Sequence, residues 1–406
     1  MIFKLKAKTH SLNGTIQLPA SKSISNRILI IRALASTPFP IDNLSEADDT
    51  IIMKQALDRN DIITDVGPAG TAMRFLTALF ASQPGEKILT GSERMKQRPI
   101  AVLVDALRSL GANITYIEKE GYPPLRIEGR RLSGAKVTVA GDISSQYITA
   151  LMLIAPTLPQ PLEILIQGDP LSRPYIIMTQ KLMQRCGAQV EFDGNTIKVK
   201  PGRYRSSTFT VEQDWSAAAF WMNMALSAKK SKLLLSGLTA DSIQGDTAAL
   251  ELFSIFGLES NFVTKGLEIK KTSAVKPDRE WNFRNHPDLV QPAAVTASIL
   301  GLKFRFSGLD NLRLKETDRI AALQTELEKV GITSSVEDFT LILNGEKLKD
   351  KPSELDAHDD HRMVMSLTGF CLHYPELVIR NPMVVNKCYP GFWSQIEKFV
   401  DVRPGK

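Results

Sequence analysis

One pattern recurs six times along the 406 residues: a short apolar strand, a small polar or acidic turn, then a helix rich in small apolar residues. The turns are Ser21-Lys22-Ser23, Gly67-Pro68-Ala69-Gly70, Asp142-Ile143-Ser144-Ser145, Asp214-Trp215-Ser216, His286-Pro287-Asp288 and Asp360-His361. After a first interval of about 45 residues, the starts fall about 70 to 75 residues apart. Each copy runs on into a second, amphipathic helix. Several of these end in a glycine suited to a helix C-cap, as in Leu107–Gly111, Met183–Gly187 and Glu328–Gly331. The pattern predicts an α/β fold of six copies, each with two helices and several short strands. The shorter first and last intervals imply that the two chain ends complete one copy between them. Lys200-Pro201-Gly202-Arg203 breaks the periodicity and marks a boundary between the third and fourth copies.

A chain of this length, with 43% hydrophobic residues, exceeds what one core usually covers, so two domains are expected. Its three cysteines, Cys186, Cys371 and Cys388, are scattered and form no CxxC pair, which predicts a reducing compartment, the cytosol. Met1 to His10 alternates lysine with apolar residues and reads as a first strand rather than a signal peptide. The longest apolar run, around Tyr147 to Ala155, is about half of the roughly 20 residues a membrane-spanning helix needs. No membrane span is expected. A formal net charge of +6 points toward anionic partners. The basic residues are spread without a lysine-rich tail or an aromatic-interleaved patch, which reads first as a mildly basic surface and next as one that meets small anionic substrates. A basic nucleic-acid-binding repeat protein is the competing reading from another class.

The candidate chemistry sits at the helix starts. Ser21-Lys22-Ser23-Ile24-Ser25-Asn26-Arg27 supplies capping serines and a lysine to a helix N-terminus, an anion site or an ordinary cap. Gly67-Pro68-Ala69-Gly70-Thr71 repeats that logic with glycines that let backbone amides approach a ligand, or is simply a turn; it is not a Walker A sequence. Ser144-Ser145-Gln146 offers two hydroxyls and an amide at a third helix start, and Ser172 offers one more unless it only caps a helix opened by Pro174. Lys315-Glu316-Thr317-Asp318-Arg319 is read as a helix start with two cations on one face, the alternative being a solvated charged turn. His358, Asp359, Asp360 and His361 invite a metal reading. No further His or Cys group has ligand spacing, so Arg362 as an anion clamp, or a helix cap, is favoured and no metal is expected.

Taken in order, these segments resemble the 5-enolpyruvylshikimate-3-phosphate synthase family from near Leu18 to Lys387, together with Leu89-Thr90-Gly91, Arg94-Met95-Lys96-Gln97-Arg98-Pro99 and Asp360-His361-Arg362-Met363. The resemblance implies a two-domain inverse α/β barrel-like fold built from six βαβαββ repeats, the domains facing each other across a cleft. Residues 1–18 and 212–406 would form a discontinuous domain and 19–211 the inserted one, joined by two hinge crossovers. The implied reaction transfers the enolpyruvyl group of phosphoenolpyruvate to the 5-hydroxyl of shikimate 3-phosphate through a tetrahedral intermediate and releases phosphate. No cofactor is implied, and a cytoplasmic monomer is expected. Carried onto matching positions, Ser23 and Arg27 would hold the shikimate carboxylate, and Ser144, Ser145, Ser172 and Lys315 its phosphate. Gln146, Tyr175, Asp288 and Asn311 would line the ring. Lys22, the Gly70 backbone, Arg94, Gln146, Arg319, Arg362 and Lys387 would hold phosphoenolpyruvate, with Lys22, Asp288 and Glu316 moving protons. Two positions depart from the family pattern: Pro68 replaces the usual asparagine, and Phe75 the frequent proline, both beside the phosphoenolpyruvate loop. The sister family that uses UDP-N-acetylglucosamine carries a cysteine on a mobile first-half loop. Here the only first-half cysteine is Cys186, expected on a helix.

Overall fold

Helices that are apolar all round must be buried, and this chain has several. Trp215–Ser227 exposes little beyond Ser216, and Val290–Ile299 is buried from Val290 to Ser298. Amphipathic helices instead carry one apolar stripe, as in Arg319–Lys329, where Ile320, Leu323 and Leu327 face inward. The computed structural model describes every residue except Asn60, Ala135, Ile143, Ser273, Ala274, Lys276, Pro277, Asp278, Arg279 and Lys406. The chain divides into two compact units, Met1–Pro19 with Glu212–Lys406, and the inserted segment Ala20–Val211.

The repeat is concrete in Ile63–Asp65, Gly70–Ser82, Gly85–Thr90, Ala101–Ser109, Asn113–Tyr116 and Leu125–Gly129. The first two strands run parallel, with Ile63 opposite Ile88. The last strand inserts antiparallel beside the second, with Leu89 opposite Leu125, and pairs with its hairpin partner on the far side. Among the described residues four further four-stranded sheets follow this order. In the sheet of Leu355–Asp356, Leu377–Arg380 and Val400–Pro404, the missing strand is Ile2–Ala7, so the two chain ends close one sheet. In another, Ser11–Gln17 pairs in parallel with Lys230–Ser236, on the far side of the insertion.

One copy departs from the six-fold expectation. After helices Lys22–Leu34 and Asp48–Asp58 the chain passes directly to Ile63, and the sheet shrinks to Ile41–Asp42 paired with Phe209–Thr210. The short first interval leaves no residues for a hairpin. The apolar helices of each unit pack together inside and the sheets lie outside, with lysines and glutamates such as Lys232 and Glu268 facing water. This is the inverse α/β barrel-like arrangement. Buried polar groups tie the inner helices: Asn223 donates to the Ser366 carbonyl at 2.9 Å and accepts from Thr296 Oγ1 at 3.0 Å. Among the described residues no helix is long and apolar enough to cross a membrane.

Candidate active site

In the inserted unit the predicted residues lie on or beside five helices. Ser21 caps Lys22–Leu34 by accepting from the Ile24 amide. Lys22 Nζ lies 3.0 Å from Asp49 Oδ2 in the first turn of the next helix, both side chains largely buried. Arg27 is buried one turn on. Its Nε donates to Thr179 Oγ1 at 2.8 Å and its Nη1 to the Ser23 carbonyl at 2.8 Å, while the Phe75 ring centre lies 5.4 Å from the guanidinium carbon. Burial lowers the Arg27 guanidinium to about 10, opposed by Tyr175, so it stays charged at neutral pH.

Gly70 opens the helix Gly70–Ser82 with no side-chain cap, and a Cβ there would stand 2.7 Å from Arg98 Nη1. Just before it, Gly67 has φ +49° and its amide donates to Asp65 Oδ1 at 2.8 Å. Arg74, inside the motif, binds the Pro99 carbonyl through Nη2 at 3.1 Å and so fastens this helix to the segment after Arg94. Arg94 itself is exposed, in the short helix Glu93–Lys96 that Ser92 caps. Gln146 Nε2 donates to Thr71 Oγ1 at 3.2 Å, joining two of the helix starts, and Ser144 caps the helix Ser145–Ile154. Ser145 is buried and Tyr175 half-buried.

Ser172 differs from expectation. It precedes helix Arg173–Arg185 at φ +57°, its side chain forms no cap bond, and Pro174 is the second helical residue rather than the first. The backbone at this buried residue is left-handed, a conformation that carries an energetic cost for a residue with a side chain.

In the other unit Arg319 is the centre. Its Nε donates to Asp360 Oδ2 at 2.7 Å, its Nη1 to Asp288 Oδ1 at 3.1 Å and its Nη2 to Glu316 Oε2 at 3.1 Å. Burial opposes the charge, yet Asp360, Glu316 and Asp288 together lift the guanidinium above its ordinary value. Asp288 also takes Arg362 Nη2 at 2.6 Å, and Glu316 takes Lys387 Nζ at 3.0 Å. Five predicted residues thus form one alternating network of cations and carboxylates. Lys315 and Asn311 flank the turn Leu312–Leu314, ahead of it.

The helix itself starts later than its sequence suggests. Asp318 takes the N-cap, accepting from the amides of Ile320 and Ala321, so Lys315 lies outside the helix on extended backbone. The two cations therefore do not share a helical face, because a capping carboxylate three residues downstream of Lys315 fixes the first turn. His358 Nε2 lies 2.6 Å from Glu326 Oε1, and among the described residues no three His, Cys, Asp or Glu side chains are grouped as metal ligands.

Sequence reading missed Asp49 and Asp246, and the part that Asp360 plays. Asp49 is signalled only by the acidic first turn Asp48-Asp49. Asp360, read there as part of a motif, is the buried anchor of Arg319. Asp246 is buried and accepts the Ser216 hydroxyl; burial, and next the charge of Asp288, raise its carboxyl to about 7. Nothing in the local sequence distinguishes it from a surface turn aspartate.

A network whose carboxylates are shared among cations can exchange those partners for the phosphates and carboxylates of a ligand. The model of the EPSP synthase (3-phosphoshikimate 1-carboxyvinyltransferase) family matches residues 6–59 and 54–396. The chain is 44% identical over 390 residues to a 3-phosphoshikimate 1-carboxyvinyltransferase of Bacteroides fragilis, covering 95% of each protein. It is 35% identical over 430 residues to that of Haemophilus influenzae, covering 97% of this chain and 98% of the relative. The structure of EPSP synthase from Acinetobacter baumannii superposes with a TM-score of 0.79 at 20% identity, over 99% of this chain and all of that one. These matches support the shikimate reading and neither the UDP-N-acetylglucosamine nor the nucleic-acid alternative. The chain belongs to the EPSP synthase family, the 3-phosphoshikimate 1-carboxyvinyltransferases.

Proposed function

We propose that this chain joins phosphoenolpyruvate to shikimate 3-phosphate as a cytoplasmic monomer, its two domains being residues 1–18 with 212–406, and 19–211. Ser23 and Arg27 take the shikimate carboxylate, Ser144, Ser145, Ser172 and Lys315 the 3-phosphate, and Gln146, Tyr175, Asp288 and Asn311 the ring. Lys22, the Gly70 amide, Arg94, Gln146, Arg319, Arg362 and Lys387 take phosphoenolpyruvate. The observation that carries this reading is that Asp288 is shared by Arg319 and Arg362, and Glu316 by Arg319 and Lys387. An arriving phosphate and carboxylate draw the cations to themselves, and the released carboxylates become available to move protons.

The 5-hydroxyl oxygen bonds to C2 of phosphoenolpyruvate, its proton passing to Asp288, while C3 gains a proton from Glu316 or Lys22. The tetrahedral intermediate then returns a proton from C3 to the group that supplied it, Glu316 or Lys22, as the bond from C2 to the phosphate oxygen breaks, restoring the vinyl group and releasing phosphate. Phosphate release that requires both substrates and is indifferent to chelator tests the reaction. Rapid-quench kinetics test the roles: Asp288→Ala and Glu316→Ala should each slow formation of the intermediate, and the parent rate in both would refute the assignment.

A further inference from the structure

The face of helix Arg319–Lys329 that carries Arg319 also carries Glu326, seven residues on, and the two side chains grip opposite ends of one loop. Arg319 binds Asp360 at the loop's end. Glu326, fully buried, binds its beginning: Oε1 receives His358 Nε2 at 2.6 Å, and Oε2 receives the Asp356 amide at 2.9 Å. Lys329 Nζ completes the site at 2.8 Å from Glu326 Oε1. Within this loop, His358 and Asp359 have φ of +51° and +54°. Two consecutive residues with side chains in the left-handed region persist only where their surroundings hold them there.

Further hydrogen bonds tie this loop together. His358 donates its own amide to Asp356 Oδ1 at 2.7 Å, the Asp360 amide donates to the Ala357 carbonyl at 2.9 Å, and Asn381 donates to Asp359. Asp360 then performs two functions at once: Oδ2 holds Arg319, and Oδ1 caps His361–Leu367 by accepting from the Arg362 amide at 2.8 Å. A change in the loop before Asp360 therefore reaches both arginines without touching either.

We propose that Glu326 and His358 are positioning residues for phosphoenolpyruvate, holding the strained loop so that Asp360 presents Arg319 and Arg362 together. The inference rests on the reading that those two arginines bind phosphoenolpyruvate. The charged groups around the His358 ring are Glu326 and Lys329 on the helix and Asp356 on the strand before the loop. The Glu326 hydrogen bond comes first among the causes that raise the His358 pKa above its ordinary 6.5, with burial and Lys329 opposing. A raised pKa means that the charged grip is complete at low pH and is lost as pH climbs through the raised value.

The test is steady-state kinetics of the full chain, varying each substrate in turn, with melting curves as a fold control. His358→Ala is expected to raise the KM for phosphoenolpyruvate about fivefold and to leave that for shikimate 3-phosphate unchanged. His358→Gln, which keeps an N–H donor, should recover most of that loss. Over roughly pH 6 to 9 the wild-type KM for phosphoenolpyruvate, taken as a ratio to that of His358→Gln, should climb with pH. An unchanged phosphoenolpyruvate KM in His358→Ala, a parallel rise in both KM values, or a flat wild-type ratio overturns the proposal. Arg362→Lys separates the two layers of the argument. If it too leaves phosphoenolpyruvate binding intact, the assignment of the arginines fails; if it weakens binding while His358→Ala does not, only the positioning role fails.

Discussion

Arg27 illustrates how much of a site is decided by what a side chain is already committed to. Its Nε and Nη1 are taken by Thr179 and Ser23, and its face by Phe75, so the direction of the remaining donors is fixed before any ligand arrives. Lysine keeps the charge but cannot serve two fixed acceptors and an aromatic face with one ammonium. Arg27→Lys is therefore expected to raise the KM for shikimate 3-phosphate tenfold or more, about 1.4 kcal/mol or above, with little change for phosphoenolpyruvate; substrate-resolved kinetics check it. The cation was evident in the sequence from its motif. Thr179 was not, because it lies 152 residues away and only the packing of two helices brings it to Arg27.

At the scale of elements, caps decide where helices begin and hence which side chains point where. Asp318 satisfies the amides of Ile320 and Ala321 and also receives Arg313 Nη1 at 2.9 Å. Asp318→Ala is expected to lower stability by about 1 kcal/mol in urea denaturation and to fray the turn that aims Arg319. The apolar and amphipathic helices were legible from their periodicity, as were the glycine stops. The exact start at Arg319 was not, since Lys315, Glu316 and Asp318 are each plausible first-turn residues and competition among them is settled by tertiary partners. Ser172 is the same lesson in reverse: its sequence context reads as a cap, yet the backbone takes φ +57° and the hydroxyl does not cap.

For the whole molecule, the first strand has the longest reach. Ile2–Ala7 lies between Leu377–Arg380 and Val400–Pro404, with the fully buried Leu5 opposite Leu377 and Val402. Leu5→Ala should cost about 2 to 5 kcal/mol by removing core volume from the sheet that joins the chain ends, read as a lowered denaturation midpoint. The repeat spacing alone determined the α/β class, the six-fold plan and the closure of the ends, because strand–helix periodicity and turn residues are local properties that a sequence carries openly. The order of its motifs carried the family and the cations proposed to bind anions. Tertiary structure alone decided the reduced sheet of the first copy, the pairing of Lys22 with Asp49, the buried Asp246, and the grip of Glu326 on the loop before Asp360. Each of these depends on contacts between residues far apart in the chain, whose charges and hydrogen bonds acquire their strength only once folding has removed the water between them.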